Sequence, residues 1–171
     1  LVNNAGMGNA RAATDTSDAD LDRYMDVNFR SLFRLSRAFV AVEADTPRAI
    51  VNIASVFGTV GFPNTAPYSA AKAAVIGLTR QMTADYAPRG VRVNAIAPGL
   101  IATPATAERI ENNERFRRLT LGQIPLGRAG TPDDVAGAVS FLCSPDAAYV
   151  SGAVIVVDGG WTSTRYSALG G

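Results

Sequence analysis

The sequence predicts an α/β fold, a doubly wound parallel sheet with helices on both faces. Three observations carry this. Four short, β-branched apolar runs recur along the chain: LVNN, IVNIA, VRVNAIA and AVIVVD. They are apolar at successive positions, as strands covered on both faces are. Helical patterns separate them, and strand–helix alternation implies parallel strands with crossover connections, expected to be right-handed. At 171 residues the chain fits one domain with a real core.

The first strand is read at Leu1–Asn4. Gly6-Met7-Gly8 follows it and has the look of a dinucleotide phosphate loop. That fingerprint needs G-x-G-x-x-G opening directly into a helix. Here Arg11 takes the third glycine position, and no apolar period begins until Ser17. The first helix is expected from Ser17, with Asp20 as its capping partner, to about Glu43. Its predicted core face is Leu21, Met25, Asn28, Leu32, Leu35 and Phe39, which places an amide inside an apolar stripe. A second row, Phe29, Phe33 and Val40, is expected to be exposed in a monomer and to mark an interface. The second strand is Ile50–Ala54, and the second helix runs from about Pro67 to Ala87, stopped by Pro88 and Gly90. Ala70, Ala73, Ala74 and Gly77 give that helix a face of small residues. The third strand is Val91–Ala97, followed by a long region, Pro98–Gly130, with no clear period. Thr131-Pro132-Asp133-Asp134 opens the third helix: N-cap, proline in the first turn, acids at the positive dipole end. The last strand is Ala153–Asp158.

Composition excludes several chemistries. There is no histidine and a single cysteine, Cys143. Ser-His-Asp and Cys-His catalysis are ruled out, no metal site is expected, and no intrachain disulfide can form. A lone cysteine fits a reducing, cytoplasmic setting. A formal net charge of +1 gives no field for nucleic acid. Arg109, Arg115, Arg117 and Arg118 cluster, but Glu108, Glu111 and Glu114 are interleaved, which reads as a solvated helix face. No apolar stretch spans a bilayer.

Without histidine, proton transfer near neutral pH falls to perturbed Tyr, Lys, Asp or Glu. Tyr68 and Lys72 are four residues apart at a helix start and share a face. An ammonium at ~5 Å and an effective dielectric of ~20 favours the phenolate by roughly 3 kcal/mol, so Tyr68 is expected to be pulled toward neutrality. Alone, such a pair is an ordinary surface contact. Here Ser55 follows a strand at its carboxyl end, where α/β ligand sites lie. Asn28 adds a buried amide that needs partners.

Together Asn28, Ser55, Tyr68 and Lys72 resemble the catalytic tetrad of the short-chain dehydrogenase/reductase family. Asn3-Asn4-Ala5-Gly6 is similar to the family's N-N-A-G after its fourth strand. Pro98-Gly99-Leu100-Ile101-Ala102-Thr103 resembles its P-G-x-x-x-T segment, and Val157-Asp158-Gly159-Gly160 its last-strand ending. The resemblance is to the family's 3-oxoacyl carrier-protein reductase and glucose-dehydrogenase-like branch. The resemblance implies the C-terminal half of one Rossmann-type domain, strands four to seven, spanning residues 1–171. The family's T-G-x-x-x-G-x-G loop and first three strands lie upstream of N-N-A-G and are absent from this sequence. The resemblance further implies NAD or NADP as cofactor, met by Asn3, Ala5, Gly6, Tyr68, Lys72, Pro98, Gly99, Ile101 and Thr103. Tyr68 would trade a proton with an alcohol or carbonyl on a small molecule or acyl thioester. Lys72 would hold ribose hydroxyls, Ser55 the reacting oxygen, and Asn28 a water. A homodimer or homotetramer is implied, with no nucleic-acid or membrane partner. Substrate choice is expected in Leu100–Arg128, as a closing lid. The alternative is a truncated, non-catalytic relative acting as a binding or oligomerisation module.

Overall fold

The computed structural model describes residues 1–167. Four parallel strands form one sheet in chain order: β1 (Val2–Asn3), β2 (Arg48–Ile53), β3 (Val91–Pro98) and β4 (Val154–Val157). Ile50 pairs with Val93, Asn52 with Ala95, and Ile96 with Ile155. Alternation sets the two faces. Ile50, Ala54, Val93 and Ala95 pack under α2 (Ser31–Ala41) and α3 (Ala66–Tyr86), with Leu32, Val40, Val75 and Met82. Val51 and Ile96 pack on the other face under α6 (Pro132–Cys143), with Leu142.

That layering corrects one expectation. The step from β2 to β3 passes over one face and the step from β3 to β4 over the other, in the same direction across the sheet. The two crossovers therefore have opposite hands. A parallel sheet must be covered on both sides. With α2 and α3 on one face, α6 and the segment 147–150 after it bury Val51 and Ile96 on the other, and that demand overrides the usual handedness.

A buried polar chain fixes β1. The Asn3 side-chain amide donates to Ser36 Oγ at 3.0 Å and to Asn52 Oδ1 at 2.8 Å, and Asn52 donates to Thr79 Oγ1 at 3.0 Å. These bonds tie β1, α2, β2 and α3 together. The network specifies how these elements meet, although Asn3 Oδ1 is buried in it without a partner among the described residues.

The first helix begins as expected: Ser17 Oγ accepts from Asp20 N at 3.1 Å. It is not one continuous α-helix. α1 (Asp18–Met25) passes through a π-helical turn, Asp26–Arg30, into α2. The core-facing row is Tyr24, Asn28, Leu32, Ser36 and Val40. Leu21 and Leu35, expected inside, are exposed, and Val40, expected outside, is buried. Phe29 packs against the core and Phe33 stays exposed. The wide turn explains the slip, since it advances the face by an extra residue.

The region after β3 is also more ordered than its pattern suggested. It holds α4 (Pro104–Asn112) and α5 (Glu114–Leu119). Thr103 and Thr106 form a capping box on α4, and Asn113 caps α5 through Phe116 N at 2.8 Å. An isolated bridge between Ile101 and Gly130 closes the excursion. α6 carries the full Thr131–Asp134 capping box, and Arg128 pairs with Asp134 at 2.7 Å. Among the described residues no helix is long and apolar enough to cross a membrane.

Candidate active site

The carboxyl ends of the strands open into a cavity of about 580 Å³. Ser55, Tyr68, Lys72 and Asn28 all line it, as do Gly6, Pro98, Gly99, Ile101 and Thr103. Asn3 and Ala5 do not. Asn3 is turned into the buried network between β1 and β2, and Ala5 is exposed outside the cavity.

Ser55 follows β2 in extended conformation, and its Oγ accepts from Phe57 N at 3.2 Å. That bond starts a short 3₁₀ turn, Val56–Gly58, which folds the chain back onto α3. Gly58 makes the contact feasible: a Cβ there would sit 2.8 Å from the Lys72 carbonyl carbon. The serine turn and the lysine are thus pressed together through backbone.

Tyr68 and Lys72 stand on the first two turns of α3. Lys72 is 4% exposed, and its ammonium donates to the Ile53 carbonyl at 2.8 Å. This is the only acceptor it meets among the described residues, so two N–H bonds remain for a ligand. Burial drives its pKa down to about 8. The ammonium lies 5.7 Å from the centre of the Tyr68 ring. The tyrosine itself shifts opposite to expectation. Burial pushes the Tyr68 phenol up, and the Ser55 hydroxyl only partly pulls it back. Desolvation raises a phenol for the same reason that it lowers an amine: both resist charge in a poorly solvated site.

Asn28 sits in the π-helical turn and is 1% exposed. Its amide donates to the Tyr24 carbonyl at 3.1 Å, and its Oδ1 accepts from Met7 N at 3.0 Å. The Tyr24 hydroxyl donates to the Gly8 carbonyl at 2.7 Å. The helix therefore grips the Gly6–Gly8 segment as one cavity wall. Gly6 must be small, since a Cβ would stand 3.0 Å from Asn28 Oδ1 and 3.5 Å from Lys72 Nζ. That leaves clear space beside the Lys72 ammonium, in the cavity that Ile101 and Thr103 also line. A flat polar ring with a ribose hydroxyl pair fits such donors and such clearance. Thr106 Oγ1 donates to the Ile101 carbonyl at 2.6 Å and meets Thr103 Oγ1 at 3.2 Å.

Two further features shape the cavity: the first escapes sequence reading, and the second lies within Leu100–Arg128, where substrate choice is expected. One is an aromatic wall. Phe57 and Phe62 stack with centroids 4.5 Å apart, and Trp161 meets both edge-on at 5.7 and 5.9 Å. Phe57 also meets the Tyr68 ring at 6.4 Å. Trp161 reaches the wall because Asp158 folds the chain after β4, accepting from Gly160 N at 2.9 Å and Thr162 N at 2.7 Å. The other feature is the roof: Arg109, Asn113, Arg115, Phe116, Leu119 and Thr120 of the α4–α5 segment line the cavity. The arginine cluster is thus not one solvated face. Arg109 and Arg115 border the cavity, while Arg117 donates to the Ile110 carbonyl at 3.3 Å.

A family model described as enoyl-(acyl carrier protein) reductase matches residues 1–162. The chain is 44% identical over 167 residues to 2-(S)-hydroxypropyl-CoM dehydrogenase 3 of Xanthobacter autotrophicus, covering 95% of this chain and 66% of that one. It is 47% identical over 165 residues to a galactitol 2-dehydrogenase (L-tagatose-forming) of Cereibacter sphaeroides, at 95% and 65% coverage. With the 3-oxoacyl-(acyl-carrier-protein) reductase of Vibrio cholerae it shares 42% over 161 residues, at 94% and 65%. The chain thus spans about two thirds of the length of these relatives. Among solved structures, a protein from Agrobacterium tumefaciens proposed to be a 2-deoxy-D-gluconate 3-dehydrogenase, with bound NADP, superposes with a TM-score of 0.88. The identity is 40%, and 96% of this chain and 67% of that one are covered. A 4-hydroxyisoleucine dehydrogenase complexed with NADH gives a TM-score of 0.88 at 34% identity, covering 96% and 68%.

Proposed function

Because the chain belongs to the short-chain dehydrogenase/reductase family, we propose that it carries the catalytic part of an NAD(P)-dependent oxidoreductase interconverting an alcohol and a carbonyl. In this reading residues 1–171 form the C-terminal half of one Rossmann-type domain, and β1 to β4 correspond to strands four to seven of the family fold. The observation that carries the reading is the convergence of Ser55, Tyr68, Lys72 and Asn28 on one cavity at the strand ends.

A nicotinamide cofactor, when bound, supplies or accepts hydride. The protein supplies the rest. Ser55 Oγ, held by the turn at Phe57, donates a hydrogen bond to the reacting oxygen as charge gathers there. The Tyr68 hydroxyl gives that oxygen a proton in reduction and takes one in oxidation. Its raised pKa keeps it protonated and ready to donate, and the Lys72 ammonium steadies the phenolate left behind. The two open N–H bonds of Lys72 fit ribose hydroxyls in the space that Gly6 leaves clear. Asn28 fixes the Met7 backbone and so the position of that wall. Pro98, Gly99, Ile101 and Thr103 border the nicotinamide side. The aromatic wall receives the apolar part of a small-molecule substrate, and α4–α5 covers it. Assembly as a homodimer or homotetramer would cover exposed Phe33 and Leu35 of α2 and the small face of α3.

Tyr68→Phe tests the reading. With the cofactor and any accepted carbonyl substrate, turnover is expected to fall about 10²–10⁴-fold. Retention of more than about a tenth of the wild-type rate refutes the proton-transfer role.

A further inference from the structure

The cavity that holds Tyr68 has an uneven charge. The charged side chains lining it are Lys72, Arg109 and Arg115, and no aspartate or glutamate lines it. Lys72 belongs with Ser55 and Tyr68. The two arginines sit in the roof, and among the described residues neither has an acceptor. Among the described residues neither makes an ion pair or a side-chain hydrogen bond, and Arg109 Nε is shielded from solvent without any partner. The neighbouring acids do not answer them: Glu108, Glu111 and Glu114 are all exposed and outside the cavity.

Arg109 is also held in place. Its guanidinium carbon lies 4.8 Å from the centre of the Phe116 ring, a cation–π contact. That contact uses up no acceptor, and among the described residues no N–H of the guanidinium is hydrogen-bonded. A guanidinium is a rigid fork of donors matched to carboxylate and phosphate oxygens. Two arginine side chains without an acceptor among the described residues, in a cavity that no acid lines, are donors open to an anion. We propose that Arg109, supported by Arg115, selects substrates that carry a terminal oxyanion, a carboxylate or a phosphate ester, away from the reacting carbonyl. The substrate then lies with its carbonyl at Ser55 and Tyr68, its middle against Phe57 and Trp161, and its anionic end under the roof. This rests on the oxidoreductase reading for where the carbonyl lies, but not for the anion preference itself.

The test uses the protein's own reporter. Trp161 is the only tryptophan in the sequence and stands in the cavity wall, so its fluorescence follows occupancy without turnover. The full chain is titrated with 4-oxopentanoate against its methyl ester, and with dihydroxyacetone phosphate against dihydroxyacetone. A charge-assisted pair predicts about 10- to 100-fold tighter binding of at least one anion than of its neutral partner. The pair that shows it tells carboxylate from phosphate. Arg109→Gln should erase the preference with helix content unchanged, and Arg109→Lys should restore part of it. A preference below about threefold in both pairs overturns the proposal. So does an Arg109→Gln variant that keeps the anion preference but loses affinity for nicotinamide mononucleotide, which would assign the guanidinium to the cofactor. The outcome is separable from the redox reading. Loss of the proton-transfer role in the Tyr68→Phe experiment leaves this selectivity standing, and a failed anion preference leaves turnover of neutral carbonyls untouched.

Discussion

Lys72→Met isolates the energetic position of the buried ammonium. The lysine sits at 4% exposure with one backbone acceptor, and burial lowers its pKa from 10.5 to about 8. A lowered pKa in the folded state means that the unfolded chain binds more protons between those values. The wild type therefore gains stability as pH rises from about 8 to about 10.5, and below about 8 it carries the full penalty of a buried charge. At about 1.4 kcal/mol per pH unit, that interval amounts to roughly 3 kcal/mol. Methionine keeps the length of the side chain and removes the charge, at the cost of leaving the Ile53 carbonyl unpaired, on the order of 1–3 kcal/mol. The assay is urea unfolding of both proteins at pH 7, 8, 9 and 10. Taking wild type minus variant cancels every other titrating group. The difference should be flat between pH 7 and 8 and should then move in favour of the wild type by roughly 1 kcal/mol or more for each unit above. A flat difference across the whole range refutes the burial argument.

Lys72→Met should also move the pH–rate profile alkaline, since it removes the charge that favours phenolate on an already raised tyrosine; an unchanged apparent pKa contradicts this. Gly58→Ala places a methyl 2.8 Å from the Lys72 carbonyl carbon, so the serine turn must lift off α3. Turnover is expected to drop at least tenfold while far-UV circular dichroism stays near wild type, and a variant of normal rate would show that the turn has slack. Phe33→Asp combined with Leu35→Asp should yield folded monomers in sedimentation velocity, because both side chains are exposed on α2 without serving the core; an unchanged oligomer places the interface elsewhere.

The strands were legible because burial on both faces leaves a simple mark. IVNIA and VRVNAIA are apolar where a one-sided strand would alternate, and both form central strands. Ser55, Tyr68 and Lys72 were legible for a different reason. In a chain without histidine, few side chains can move a proton, and a Tyr-x-x-x-Lys pair at a helix start, ordinary by itself, stands out once Ser55, Asn28 and the N-N-A-G and P-G-x-x-x-T segments accompany it in the order of the family it resembles. The sign of the Tyr68 shift was not legible. Sequence does not supply the depth of burial, which raises the pKa and outweighs the Ser55 hydrogen bond that lowers it. The first helix failed at the same level of detail. Spacings of three and four pointed to Leu21 and Leu35 inside, whereas a strict spacing of four, Tyr24, Asn28, Leu32, Ser36 and Val40, is what the core receives. On an ideal helix a four-residue step advances the face by 40° each time, so such a row should wind off the sheet. The π-helical turn at Asp26–Arg30 takes up part of that drift, and it does so at the residue whose side chain spans from the Tyr24 carbonyl to Met7 N. Asn28 sits where the helix departs from regularity, and the departure aims its amide at the cavity wall. Apolar periodicity carries no signal for this, because the feature is a break in periodicity. Only the oddness of an amide in an apolar stripe pointed there.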